Sequence, residues 1–262
     1  MKIVVIGGTG LIGSRLVSQL SDQGHEVIPA SPRLGVNTIT GEGLAAALAE
    51  ASVVVDVSDT LSFEYPAVLD FFRTSTRNLL AAERSARVRC HVALSIVGTP
   101  KLSAQGDPTT TMSGYFVAKL AQESLIASSS IPYTIVRATQ FFEFIKRIAD
   151  QVTVGNEVRV SHIYFQPMAA DDVARALARA ALGPSANAVI EIGGPDRFRL
   201  DEIMRRVLAA GNDPRTVVTD PSASYYGIPV EQDTIVPGAD ASLGEIHVDQ
   251  WLAQRAAAPV AV

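Results

Sequence analysis

Residues 7–13 read Gly-Gly-Thr-Gly-Leu-Ile-Gly, between a short apolar run, Lys2–Ile6, and a segment with Leu11, Leu16, Val17 and Leu20 at helical spacing. A five-residue β-branched run suits a fully buried parallel strand. The glycine spacing GxxGxxG then has a specific use. Gly7 permits the tight turn out of the strand, Gly10 lets the backbone approach a pyrophosphate, and Gly13 lets the helix pack on the strand. Free N–H groups at the helix start, helped by the helix dipole, face the phosphates. No Gly-Lys-Ser/Thr sequence closes the loop, which excludes a P-loop. Strand, glycine loop and helix in this order imply a dinucleotide site.

Strands and helices alternate beyond it. Strand-like runs occupy Glu26–Ala30 and residues 52–57, 91–94, 133–136 and 189–192. Helical patterns occupy residues 44–49, a stretch opened by Pro66 and running to Ala82, and residues 114–127, 171–182 and 200–210. This alternation predicts an α/β fold, a Rossmann-type doubly wound parallel sheet with helices on both faces. After Arg137 the regularity weakens. Gly155-Asn156 between two valine-rich runs predicts a hairpin, and residues 215–219 suggest one more strand. The expected division is a Rossmann core over 1–150 and a smaller substrate-side lobe over 151–262, with residues 188–210 packing back on the core. The polar stretch 103–113 reads as a surface loop, and residues 256–262 as a frayed end.

The end of the second strand bears on cofactor choice. Residues 28–33 read Ile-Pro-Ala-Ser-Pro-Arg, with no acidic side chain to hold a ribose 2′-hydroxyl or repel a 2′-phosphate. Ser31 can hydrogen-bond that phosphate and Arg33 can neutralise it, so NADP(H) is favoured over NAD(H). The alternative is that Arg33 is a solvated loop charge.

Tyr115 and Lys119 lie four residues apart on one helix face. Such a pair suits carbonyl reduction. A lysine near a tyrosine lowers the phenol's pKa toward working pH, and the ammonium can also bind the nicotinamide ribose. Val117, Leu120 and Ala121 form one face of this helix, and Lys119, Gln122 and Glu123 another.

These pieces together resemble the short-chain dehydrogenase/reductase superfamily, and more closely its atypical, NmrA-like NAD(P)H-binding branch. The residues carrying the likeness are 7–13, the strand end 94–98 (LSIVG), 115–123 (YFVAKLAQE), 133–137 (YTIVR) with 140–142 (QFF), and 192–195 (IGGP). The likeness implies that Thr9, Gly10, Leu11 and Ile12 line the pyrophosphate. Ser31 and Arg33 lie at the 2′-phosphate, and Val57 and Ser58 flank a ribose. Ser95 and Ile96 lie near the nicotinamide, and Lys119 touches its ribose. Gln140, Phe141 and Phe142 border nicotinamide and substrate. Active members complete the Tyr–Lys pair with a Ser or Thr. Ser95 is the nearest candidate here, although extended members place that residue further along the loop, where this chain has Ile96, Val97 and Gly98.

Other readings follow from residue type. Phe141, Phe142 and Phe144 could stack on a flat substrate or fill a core. His162 reads as structural or solvated, and Asp171-Asp172 as helix-opening carboxylates. No metal-ligand cluster is visible, and the single cysteine, Cys90, excludes a disulfide framework and reads as a small buried residue. A net charge of -5 argues against nucleic acid and anionic membranes as partners. No run reaches membrane-span length, and no signal peptide opens the chain. The expectation is therefore a cytoplasmic protein acting on a small molecule, with a homodimer as the base-rate state. Three functions stay open: an NAD(P)H-dependent reductase of a quinone, ketone or enone, a dinucleotide-binding sensor without turnover, and a nucleotide-sugar epimerase or dehydratase. The third is disfavoured because such enzymes carry a larger C-terminal domain.

Overall fold

The computed structural model describes residues 1–60, 62–109 and 111–257. In chain order the elements are β1 (Lys2–Ile6), α1 (Leu11–Asp22), β2 (Glu26–Ala30), α2 (Leu44–Leu48), β3 (Val53–Asp56), α3 (Ala67–Ala86) and β4 (Cys90–Ile96). There follow α4 (Thr99–Gln105), α5 (Thr111–Ala127), β5 (Tyr133–Ala138), α6 (Ile145–Gln151), β6 (Thr153–Val154), β7 (Glu157–Val160) and β8 (Tyr164–Phe165). The last are α7 (Ala170–Leu182), β9 (Ala188–Gly193), β10 (Phe198–Arg199), α8 (Leu200–Ala210), β11 (Thr216–Thr219), β12 (Ser242–Leu243) and α9 (Val248–Ala257).

Seven strands form one parallel sheet in the order β12-β9-β5-β4-β3-β1-β2. The chain leaves β1 for β2 on one side and returns to β3 on the other. The crevice at this switch point, beyond the carboxyl ends of β1 and β3, is where doubly wound sheets bind ligands. Alternation along β1 divides the core. Ile3 and Val5 pack with α1 and α7, while Val4 and Ile6 pack with α2 and α3. The doubly wound α/β expectation is thus met.

The C-terminal half differs from the expected division at residue 150. Helix α7 packs on α1 and against β3, β4 and β5, so it belongs to the Rossmann layers, as does β9. Helix α8 instead packs on α6 and β11. Its apolar face, with Ile203, Met204 and Val207, lies in the core of the smaller lobe beside Ile145, Val158, Tyr225 and Trp251. The β6–β7 hairpin is present, and β11 adds to it in parallel. Much of the expected loop at 103–113 is helical, because α4 runs to Gln105 and α5 starts at Thr111. Gly98, at φ +85°, turns the chain into α4. The Thr99 hydroxyl bonds the Ile96 carbonyl (2.7 Å), and Pro100 occupies the first turn, where its missing N–H has no cost. At the C-terminus α9 extends to Ala257, and residues 258–262 lie outside the described residues.

Candidate active site

The glycine loop follows β1 at the switch point. Gly7 has φ +79°, and its N–H bonds the Ala30 carbonyl at 2.9 Å. A Cβ there would stand 2.8 Å from the Val57 carbonyl oxygen and 2.9 Å from the Ser58 nitrogen, so the loop is seated directly on the chain leaving β3. A Cβ on Gly13 would lie 2.2 Å from the Gly7 oxygen. At Gly10 it would meet only that oxygen, at 3.3 Å, and Thr9 and Gly10 are exposed. The loop is therefore closed toward the protein and open outward. Helix α1 starts at Leu11, so the N–H groups of Leu11, Ile12 and Gly13 have no acceptor within the helix. These features fit a dinucleotide diphosphate. Gly8, which packs on Pro29 and Val5, is a fourth necessary glycine.

Ser31 follows β2 and is 6% exposed, and its hydroxyl is buried without a hydrogen-bond partner. Arg33, in the 3-10 turn Pro32–Leu34, is exposed and has no carboxylate partner among the described residues. Val57 and Ser58 are half-buried. The Ser58 N–H and hydroxyl both donate to Asp56 Oδ1, at 2.9 and 2.6 Å.

Helix α5 turns its polar face inward over β4. Lys119, Gln122 and Glu123 are 3%, 2% and 5% exposed. The Lys119 ammonium donates to the Leu94 carbonyl (2.8 Å) and to Gln122 Oε1, and lies 4.7 Å from the centre of the Phe72 ring. Gln122 Nε2 donates to Asp56 Oδ2 at 3.0 Å. A buried chain thus links Lys119 through Gln122 to Asp56, and from there to Ser58. Burial lowers the Lys119 pKa, against the raising effect of Asp56, Asp59 and Glu123. Gln122 and Asp56 were not singled out from sequence. The available signals were an acid closing the apolar strand 53–56 and a polar side chain one turn beyond Lys119.

Tyr115 packs among Phe63, Phe72 and Phe116, with ring centres 5.2, 5.7 and 6.2 Å away. Its hydroxyl donates to Asp59 Oδ1 at 3.1 Å. Burial and the Asp59 carboxylate push its pKa well above the ordinary value, with Arg147 opposing. This corrects the expected depression by Lys119, whose ammonium is committed to Leu94 and Gln122.

Ser95 is also corrected. It is 3% exposed, and its hydroxyl donates to Glu123 Oε1 at 2.5 Å. Arg137 holds the same carboxylate in a two-pronged pair at 3.0 and 2.6 Å. The hydroxyl therefore faces α5 and a buried ion pair instead of a substrate oxygen. Ile96 is half-buried and its carbonyl receives Thr99.

After β5 the three substrate-side candidates separate. The side-chain amide of Gln140 is buried, with the Tyr225 phenol against it. Phe141 is half-buried and lies 5.4 Å from the partly exposed Phe144. Phe142 is 1% exposed and packs on Trp251 at 5.3 Å, which makes it a core residue and removes it from the substrate wall. The turn Phe142–Phe144 is what sends neighbouring rings in opposite directions. His162 bonds Asp201 at 2.8 Å, in a cluster with Arg205 and Thr219, and is structural. Cys90 is buried in β4.

A family model described as NAD(P)H-binding matches residues 7–184, well over half of the chain. The chain belongs to the NAD(P)H-binding family. The solved structures similar to this NAD(P)H-binding chain include a short-chain dehydrogenase/reductase superfamily protein from Agrobacterium tumefaciens with bound NAD. That structure has a TM-score of 0.73 and 18% identity, over 98% of this chain and 96% of that one. Another is dTDP-4-dehydrorhamnose reductase from Bacillus anthracis in complex with NADP. Its TM-score is 0.63 and its identity 13%, over 94% of this chain and 90% of that one. Both likenesses are likenesses of fold. A curated relative, the photosystem II assembly factor Ycf39 of Synechocystis, is 26% identical over 157 residues, which is 55% of this chain and 46% of that protein. The chain thus matches about half the length of that relative. Among the described residues no helix is long and apolar enough to cross a membrane.

Proposed function

We propose that the chain is an NADP(H)-dependent oxidoreductase that reduces the carbonyl of a small substrate, a quinone, ketone or enone with a flat aromatic body, in the cytoplasm. The observation carrying this reading is the buried Lys119–Gln122–Asp56–Ser58 chain. It fixes a desolvated ammonium beside the switch point, where a nicotinamide ribose would lie. The dinucleotide, when bound, supplies the hydride. Leu11, Ile12 and Gly13 hold its diphosphate, and Ser31 and Arg33 its 2′-phosphate. Tyr115 supplies the proton, from a phenol that burial and Asp59 hold in its protonated form. Gln140 and Phe141 border the substrate. The test is oxidation of NADPH by the purified protein against a panel of quinones, ketones and enones. Turnover with at least one class is expected. Tight NADPH binding without turnover on any would overturn the enzyme reading.

One observation favours a second reading, a sensor that binds the dinucleotide without turnover. Ser95 is locked to Glu123, so the Tyr–Lys pair lacks a polarising hydroxyl at that position. A nucleotide-sugar epimerase or dehydratase is the third, and oxidation or epimerisation of a nucleotide sugar with NAD would establish it. Arg33→Ala tests cofactor choice. Its effect on NADPH affinity should exceed that on NADH, and an unchanged ratio would remove Arg33 from the site.

A further inference from the structure

Arg147 lies in α6, with its guanidinium carbon 5.4 Å from the centre of the Phe63 ring. Phe63 in turn packs on Tyr115 at 5.2 Å. The Tyr115 and Tyr226 phenols both feel the positive charge of Arg147, which opposes the upward push of burial on each. Arg147 is exposed, and no carboxylate neutralises it among the described residues. Its neighbours contrast with it. Lys146 is paired with Asp150 at 3.0 Å, and Arg215 with Asp213 and Asp150. A guanidinium set among aromatic rings has an open fork for an oxyanion brought from outside.

Space for the rest of such a ligand adjoins it. A cavity of about 610 Å³ is lined by Met112, Gln151, Val152, Tyr226, Arg159 and Asp220. Met112 lies three residues before Tyr115 on α5, and Gln151 four after Arg147 on α6. The cavity therefore opens one helical turn along from both residues. Its volume suits a compound of several rings. Arg159 is already neutralised by Glu157 and Asp220, whereas Arg147 has no carboxylate partner among the described residues.

We propose that Arg147 binds a carboxylate of the substrate, carried on the same flat molecule as the carbonyl presented to Tyr115. This rests on the reductase reading above. The test titrates NADPH-loaded protein with anthraquinone-2-carboxylate and with the matching carboxamide, by calorimetry, and follows turnover of each separately. The carboxylate should bind at least about ten-fold more tightly than the carboxamide. Arg147→Gln and Arg147→Ala should each erase that difference, with thermal midpoints close to that of the native protein. Equal affinities in the native protein, binding of neither compound, or discrimination that persists in both variants would overturn the proposal. Discrimination without turnover would sink the reductase reading and leave the carboxylate site standing. Turnover of both compounds without discrimination would do the reverse.

Discussion

The Ser95 hydroxyl donates to the Glu123 carboxylate at 2.5 Å, one helical turn beyond Lys119 on α5. Hydrogen bonds to buried charged groups contribute about 1.5–3 kcal/mol. Ser95→Ala should therefore lower stability by about that amount in urea denaturation and leave kcat within roughly three-fold. A hundred-fold fall in kcat at unchanged stability would return Ser95 to the catalytic set.

For Tyr115, the reactive form in reduction is the protonated phenol. With its pKa raised by burial and by Asp59, activity should hold its plateau into alkaline pH with no falling limb from this group. Asp59→Asn removes the carboxylate, so the phenol should ionise at lower pH and a falling limb should enter the profile. Tyr115→Phe should abolish ketone reduction by about 10²–10⁴-fold. An identical pH profile for native protein and Asp59→Asn would separate Asp59 from the proton donor.

Asp56 acts on Lys119 through Gln122. Asp56→Asn keeps the shape but removes a charge that holds the Lys119 pKa up against burial. NADPH affinity should then fall off at lower pH than in the native protein, as the ammonium is lost earlier. Superimposable affinity–pH curves would contradict a role for Asp56 in positioning Lys119.

His91 and Glu83 form a fully buried pair at 2.8 Å. Burial alone would lower the His91 pKa, but Glu83 and then Asp56 outweigh it, and the net direction is up from 6.5. The fold thus favours imidazolium. Its contribution is complete below about pH 6.5 and is lost as pH rises through the raised value. His91→Gln should flatten the dependence of the urea midpoint on pH in that range. It should also destabilise by about 3–5 kcal/mol at acidic pH, because the Glu83 carboxylate is left buried and unpaired. A midpoint whose pH dependence is unaltered would refute the charged pair.

Two glycine substitutions should part company. Gly10→Ala puts its Cβ into the open outer face of the loop, so NADPH affinity should drop at least about ten-fold with the thermal midpoint nearly unchanged. Gly13→Ala drives a Cβ into the Gly7 carbonyl, and should lose stability by about 1–3 kcal/mol as well as affinity. Equal effects on the midpoint would show that the two positions are not distinguished by packing.

What the sequence made legible was periodic or local. Alternating strands and helices, the glycine loop and the Tyr115–Lys119 helix all occupy their expected places, because each is set by spacing within a few residues. What it hid were contacts between distant segments. Ser95 meets Glu123 across 28 residues, and Tyr115 meets Asp59 across 56. Neither pairing follows from a local pattern. Phe141 and Phe142 are indistinguishable as letters, and only the turn after β5 decides which ring enters the core. Arg147 gives no sequence signal at all, since its isolation depends on which carboxylates other parts of the chain bring near it.

Asp172, at the start of α7, accepts hydrogen bonds from the Glu245 and Ile246 N–H groups at 3.0 and 2.8 Å and is paired with Arg175. A side chain of the nucleotide-side layers thus fastens the returning tail. A chain cut before Glu245 would strip two donors from a buried anion, so residues 1–244 cannot be isolated without harm. The halves would have to be exchanged, shortened or redesigned as a single inherited unit.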